Sequence, residues 1–206
     1  MSKRDIQPRK RNKYCFLKKG TSFPRIIFFI LIYFFYLCAF VSIEAKEERT
    51  VTVKTFISHD GIHPGESFKV AFLLNIIPGW HIYGPKLDDE YLIPSELIID
   101  EGDNMKVLKL YYPEPGSGRF DYSEAELPVY EGEIFLGALI KVGDEIALKK
   151  YFLKASLLYQ PCDDLTCMAP RTLKLEIPFK VVSLSKKTKE INKEIFSKID
   201  FKKGSK

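Results

Sequence analysis

The chain is poor in the residues that most often carry chemistry: one tryptophan, three histidines, three methionines and four cysteines in 206 residues. His59, His63 and His81 show no close ligand spacing, so there is no histidine-based zinc motif. No Ser/His/Asp set, phosphate-cradling glycine motif or paired-carboxylate arrangement stands out, which leaves nucleophilic hydrolysis, nucleotide binding and glycosidase-type chemistry without support. Internal repeats, low-complexity stretches and long helical periods among the exported runs are also missing. Of the four cysteines, Cys15 and Cys38 lie in the N-terminal segments and read as incidental. One pair remains, Cys162 and Cys167.

The N-terminus is basic, with nine Lys and Arg against one Asp in residues 1–25. Ile26 to Ile43 then runs 18 residues without a charge, long enough at about 1.5 Å per residue to cross most of a ~30 Å hydrocarbon core. Positive charge before this run and Glu44, Glu47 and Glu48 after it put residues 1–25 in the cytoplasm and the remainder outside. Ile43-Glu44-Ala45 stands at a small-residue cleavage position, yet the apolar run exceeds the usual signal-peptide core. Signal peptide and signal anchor therefore both stay open for residues 26–45, and the exported part is expected in the periplasm, anchored in the inner membrane by residues 26–43 if the segment is retained.

The net charge of +5 is misleading. The leader is strongly basic, and the tail from Lys186 has eight Lys against three acids, so the middle carries about −8. An acidic middle offers no nucleic-acid surface.

From residue 50 onward alternation dominates. Leu173, Leu175, Ile177, Phe179 and Val181 interleave with Lys174, Glu176, Pro178 and Lys180, the period of a strand with one buried face. Pro178 cannot donate to a ladder, which places that strand at an edge or a bulge. Similar runs occur at Thr50 to Ile57, Ser67 to Asn75, Glu96 to Ile99, Lys106 to Tyr112, Glu131 to Val142 and Leu148 to Tyr159, separated by turn signals such as Pro64-Gly65 and Pro78-Gly79. Seven or eight short strands at this spacing predict an all-β, antiparallel β-sandwich over residues 46–184. Residues 185–206 form a basic tail in which Ile191, Ile195, Phe196 and Ile199 suit a short amphipathic helix, either resting on the sandwich or docking to a membrane surface or partner.

The pair itself sits in Leu158-Tyr-Gln-Pro-Cys-Asp-Asp-Leu-Thr-Cys-Met-Ala-Pro170, between two predicted strands. Such a connection can bring the two Cα atoms within bonding reach, and an exported compartment permits oxidation. Three readings stay open: a structural staple, a soft metal clip with Met168 that would suit Cu(I), and a redox couple. Closing so short a loop removes only about 2 kcal/mol of unfolded-state entropy, little for a domain with an adequate core. Asp163 and Asp164 put negative charge beside both sulfurs, with no basic residue in the loop before Arg171, so reduced thiols here are expected to resist ionisation. Trp80 reads as core packing and His81 as a satisfied polar residue near a turn.

The loop from Tyr159 to Pro170 resembles the redox loop of the N-terminal periplasmic domain of the thiol:disulfide interchange protein DsbD. Two further stretches agree. Pro78-Gly79-Trp80-His81-Ile82-Tyr83, followed by Asp88 to Ser95, is similar to the family's Gly-Trp-His segment and the segment after it; Tyr112 to Tyr122 and Val129 to Gly132 keep the family's order and spacing. The resemblance runs from about residue 50 to 183. It implies an immunoglobulin-like domain whose Cys162/Cys167 dithiol passes reducing equivalents from a membrane-embedded electron donor to disulfide isomerases or thioredoxin-like proteins of cytochrome c maturation, with no cofactor beyond the dithiol. By the family pattern Cys167 forms the mixed disulfide and Cys162 resolves it. Phe120, Asp121 and Tyr122 match a cap loop that shields the sulfurs, with either Phe120 or Tyr122 as the lid, while Tyr159, Gln160, Asp163, Asp164 and Pro170 support the cysteine loop. The family protein continues into a membrane domain and a thioredoxin-like domain that this sequence does not contain, so the donor is expected on a separate chain. The competing reading is a non-catalytic binding or copper-handling module whose disulfide is structural.

Overall fold

The computed structural model describes Tyr33 and residues 49–102 and 104–201. The chain divides into two units at Glu47/Glu48. Apart from Tyr33, the basic leader and the signal or anchor segment lie outside the described residues, and no described helix is long and apolar enough to cross a membrane.

The second unit holds strands β1 (Val51–Ile57), β2 (Ser67–Ile76), β3 (His81–Tyr83), β4 (Glu96–Ile99), β5 (Met105–Tyr111), β6 (Gly116–Gly118), β7 (Leu127–Tyr130), β8 (Glu133–Val142), β9 (Lys150–Tyr159), β10 (Pro161–Cys162) and β11 (Arg171–Lys180), followed by a one-turn helix α1 (Lys193–Phe196). All strand pairs are antiparallel. Two sheets, ordered β1-β2-β8-β5 and β11-β9-β4, form a sandwich body, and a third, ordered β10-β3-β7-β6, adjoins it.

Alternation explains the body. Phe68, Val70, Phe72, Leu74 and Ile76 of β2 point to one side with Leu136, Ala138, Ile140 and Val142 of β8, and they share one buried cluster with Leu153 and Leu157 of β9 and Ile177 and Phe179 of β11. Pro178 sits on β11, an edge strand, where the missing N–H costs no ladder bond. The run read as starting at Glu131 begins instead at Glu133, because Gly132 takes φ 60° and turns the chain out of β7. The alternation pattern covers the seven body strands and none of the small sheet.

The far face of the first sheet is also apolar, with Phe56, Ala71, Tyr111, Phe135 and Leu139 exposed by the alternation rule. It is covered by Ile195, Phe196, Ile199 and Phe201 from the tail. Gly137 makes the close approach possible: a Cβ there would lie 3.0 Å from Ile199 and 3.1 Å from Phe201. The tail is helical for a single turn only, after which Ile199 and Phe201 reach the sheet from irregular backbone.

Small-sheet strands are two to four residues long, too short to stand alone, and the sheet leans on the body. Ile82 and Tyr130 point into the main core, whereas Tyr83, Leu127 and Val129 point the other way into a second cluster with Cys162. Successive residues of one strand thus serve the core and the site in turn.

Candidate functional site: a disulfide under a hydroxyl chain

Cys162 and Cys167 are joined as a disulfide, with their Cα atoms 4.1 Å apart. Cys162 is the last residue of β10 and lies directly opposite His81 of β3, so the two side chains share a face of the sheet. Tyr83, two residues along β3, projects to that same face. The four residues from Asp163 to Thr166 make the turn, closed by Asp163 N–H to the Thr166 carbonyl (3.0 Å) and Met168 N–H to the Pro161 carbonyl (2.9 Å). One oxygen of the Asp163 carboxylate accepts the N–H groups of Leu165 (2.9 Å) and Thr166 (2.8 Å), and these bonds hold its pKa below the ordinary carboxylate value. Gln160 clamps the base of the loop, donating to the Met168 carbonyl (3.2 Å) and accepting from Ile93 N–H (3.1 Å).

Cys162 is fully buried; Cys167 is partly exposed. The Tyr83 hydroxyl oxygen lies 3.2 Å from the Cys162 sulfur and 3.1 Å from the Cys167 sulfur. In the oxidised pair neither sulfur carries a hydrogen, so the only proton available to these contacts is that of Tyr83. That hydroxyl is 3.2 Å from the Tyr122 hydroxyl, which in turn lies 2.7 Å from His81 Nε2. Phe120 stacks on the His81 ring with centroids 4.0 Å apart and runs parallel to Tyr122. Glu126 holds the same loop from its far end, accepting from Ser117 and Arg119 at 2.8 Å each.

Burial dominates the electrostatics. It lowers the His81 pKa below 6.5, with Glu131, Asp164 and Asp163 opposing it, and it raises the Tyr83 and Tyr122 pKa values above those of free tyrosine. Both hydroxyls therefore stay protonated at neutral pH and remain able to donate.

The amino-acid sequence matches the family model of the N-terminal region of thiol:disulfide interchange protein DsbD over residues 47–178. The chain belongs to the DsbD N-terminal family. No match was found among the curated proteins. Among solved structures, the crystal structure of the N-terminal periplasmic domain of ScsB from Proteus mirabilis is similar, at 11% identity and a TM-score of 0.47, covering 75% of this chain and 56% of that one. The chain thus spans little more than half of that protein's solved length.

Against the DsbD-type expectations, the sequence-derived residues divide. Cys162, Cys167, Phe120, Tyr122, Asp163 and Gln160 come together around the bond. Asp121, Asp164 and Pro170 are respectively at the tip of the 119–126 loop, in the cysteine turn and beyond it; Asp121 and Pro170 are exposed, as is Asp164. Tyr159 is buried in the main core, one residue from the loop. Trp80 packs against the main core as a partly buried side chain. His81 and Tyr83 are the residues that sequence reasoning passed over as site members. The signal available was their spacing: polar aromatics at i and i+2 in the Trp80–Tyr83 segment must share a face if that segment is a strand.

Proposed function

We propose that this is an exported, periplasmic thiol–disulfide exchange domain, passing reducing equivalents through Cys162 and Cys167 from a membrane-embedded thiol donor on a separate chain to thioredoxin-like or disulfide isomerase acceptors. The observation that carries the reading is the Cys162–Cys167 bond lying against the Tyr83 hydroxyl in a chain of the DsbD N-terminal family. A staple reading is disfavoured by the loop itself. The backbone bonds of Asp163 and Met168, the Asp163 carboxylate and Gln160 already close this turn, so the disulfide is not needed to hold it.

Exchange needs a thiolate to approach a disulfide sulfur in line. Cys167, the less buried residue of the pair, is the one a partner attacks, and the buried Cys162 is the leaving group that later resolves the mixed disulfide. Phe120 and Tyr122 cover the pair as a cap, with Asp121 at the loop's tip, and Gln160 and Asp163 hold the loop's shape. Immunoglobulin-like architecture and service to cytochrome c maturation belong to the same proposal.

The test is the reduction potential of the pair, equilibrated against glutathione and read by mass after alkylation. A readily exchanged couple is the expected result; a potential below about −300 mV, typical of structural bonds in secreted proteins, would refute the relay. Trapping fixes the order of the cysteines. Cys162→Ala, which leaves Cys167 free, should accumulate a mixed disulfide with an oxidised thioredoxin-like protein, and Cys167→Ala should not.

A further inference from the structure

His81, Tyr122 and Tyr83 form one continuous line of polar atoms ending on the two sulfurs, with links of 2.7 Å, 3.2 Å and 3.1–3.2 Å. Each hydroxyl has a single proton to give, so the line has two consistent orders. When His81 Nε2 is bare, Tyr122 donates to the ring, Tyr83 donates to Tyr122, and the sulfurs face oxygen lone pairs. When Nε2 carries a hydrogen, as it must in the imidazolium, it donates to Tyr122, Tyr122 to Tyr83, and the Tyr83 proton is turned onto the sulfurs.

We propose that this line is a proton path for disulfide exchange, in which Tyr83 protonates the leaving Cys162 sulfur and His81, acting through Tyr122, sets whether that proton faces the sulfurs. The inference rests on the exchange reading above. A partner thiol first loses its proton to solvent. Its thiolate attacks the Cys167 sulfur; a new S–S bond forms, the Cys162–Cys167 bond breaks, and its electron pair goes to Cys162. One disulfide replaces another at this step, and the partner's thiol has become a thiol on Cys162 once a proton arrives. Cys162 is fully buried, where a bare thiolate is costly. Tyr83 gives it a proton, Tyr83 is refilled from Tyr122 and Tyr122 from the His81 imidazolium; the proton that the attacking thiol released to solvent balances the one delivered to Cys162.

Tyr83 touches the reacting atoms and is the catalytic group of this path; Tyr122 and His81 are positioning residues. The charged groups facing the imidazole are Glu131, just beyond β7, and Asp163 and Asp164 of the cysteine turn, while Asp89 faces Tyr83. All four are acidic side chains. Burial outweighs the three beside the ring, so the imidazolium is the minor form at neutral pH and becomes available as pH falls below 6.5.

The experiment uses the oxidised 206-residue chain with dithiothreitol as the attacking thiol. Reduction is followed by alkylation and mass, and the rate is divided by the dithiothreitol thiolate concentration at each pH from about 5 to about 8. For the wild type the corrected rate should climb several-fold as pH falls through the His81 range. His81→Gln and Tyr122→Phe should flatten the profile, and Tyr83→Phe should lower the rate about tenfold or more at acid pH, short of the larger factors a positioned general acid gives to poorer leaving groups. Tyr122→Phe lies on the 119–126 loop, outside the main core, and keeps the test open if a His81 variant fails to fold. A merely structural role would scale the rate by one factor at every pH; that outcome, or a Tyr83→Phe protein exchanging at the wild-type rate, overturns the path. A wild-type bond that dithiothreitol cannot open short of unfolding would sink the exchange reading and the path together. Brisk exchange with a flat wild-type profile would sink the path alone.

Discussion

The sandwich body and the small sheet solve different problems with the same chain. Body strands run four to ten residues, and their inward faces are almost wholly aliphatic and phenylalanine. The small sheet has strands of two to four residues, and its site face carries a disulfide, a histidine and two tyrosines under a stacked phenylalanine. A body that makes no demand for polar partners can be packed for stability alone. The small sheet borrows that stability through Ile82 and Tyr130, and its other face is free to hold groups whose burial is individually costly. The two regions should accordingly respond to substitution in opposite ways.

The largest expected effect is in the body. Phe72→Ala, at a fully buried position on β2, should cost about 3–5 kcal/mol in denaturant unfolding while leaving the reduction potential of the folded protein unchanged. A shift in potential would mean that the regions are not separable. Gly137→Val should cost about 1–3 kcal/mol by driving a side chain into Ile199 and Phe201, and should release the tail to earlier tryptic cleavage at Lys198, again with no change in exchange.

The site should show the converse pattern. His81 is harder to protonate folded than unfolded, so the unfolded state binds the extra proton first. Its folded-state preference for the neutral ring is fully satisfied above the unfolded value of 6.5 and turns into a loss of stability as pH falls from there through the folded pKa. Thermal melts of the wild type should decline over that window, and His81→Gln should remove that part of the decline. The smallest effect belongs to the cysteine turn. Replacing Asp163 and Asp164 by Asn removes one partly exposed and one exposed carboxylate near the sulfurs and should speed iodoacetamide alkylation of the reduced pair by a factor of about two at low salt, an effect that added salt erases.

Much of this division is visible in the sequence, unevenly. Alternation over five or more residues marks β2, β8, β9 and β11, because each such strand buries one face against a continuous core. It says nothing of β3, β6, β7 or β10, where two to four residues are too few to show a period. The first sheet's second buried face was hidden for another reason. Ala71, Phe135 and Leu139 look like strays from the alternation until the tail is seen lying on them. Within the site, Cys162, Cys167, Phe120, Tyr122 and Gln160 were legible through the family pattern, whereas His81 read as an ordinary polar residue beside a turn. No basic residue precedes Arg171 in the cysteine loop, yet the fold sets His81 directly across the ladder from Cys162.

The amino-acid sequence by itself determined the all-β class, the choice of an edge or a bulge for Pro178 and the family of the loop that carries Cys162 and Cys167, because each depends on local period, local chemistry or an ordered motif. Only the tertiary structure decided that His81, Tyr122 and Tyr83, spread over some forty residues, stand in line on the disulfide. Hydrogen bonds act over about 3 Å, and the pairings of β3 with β10 and β7 set which distant side chains come within that range.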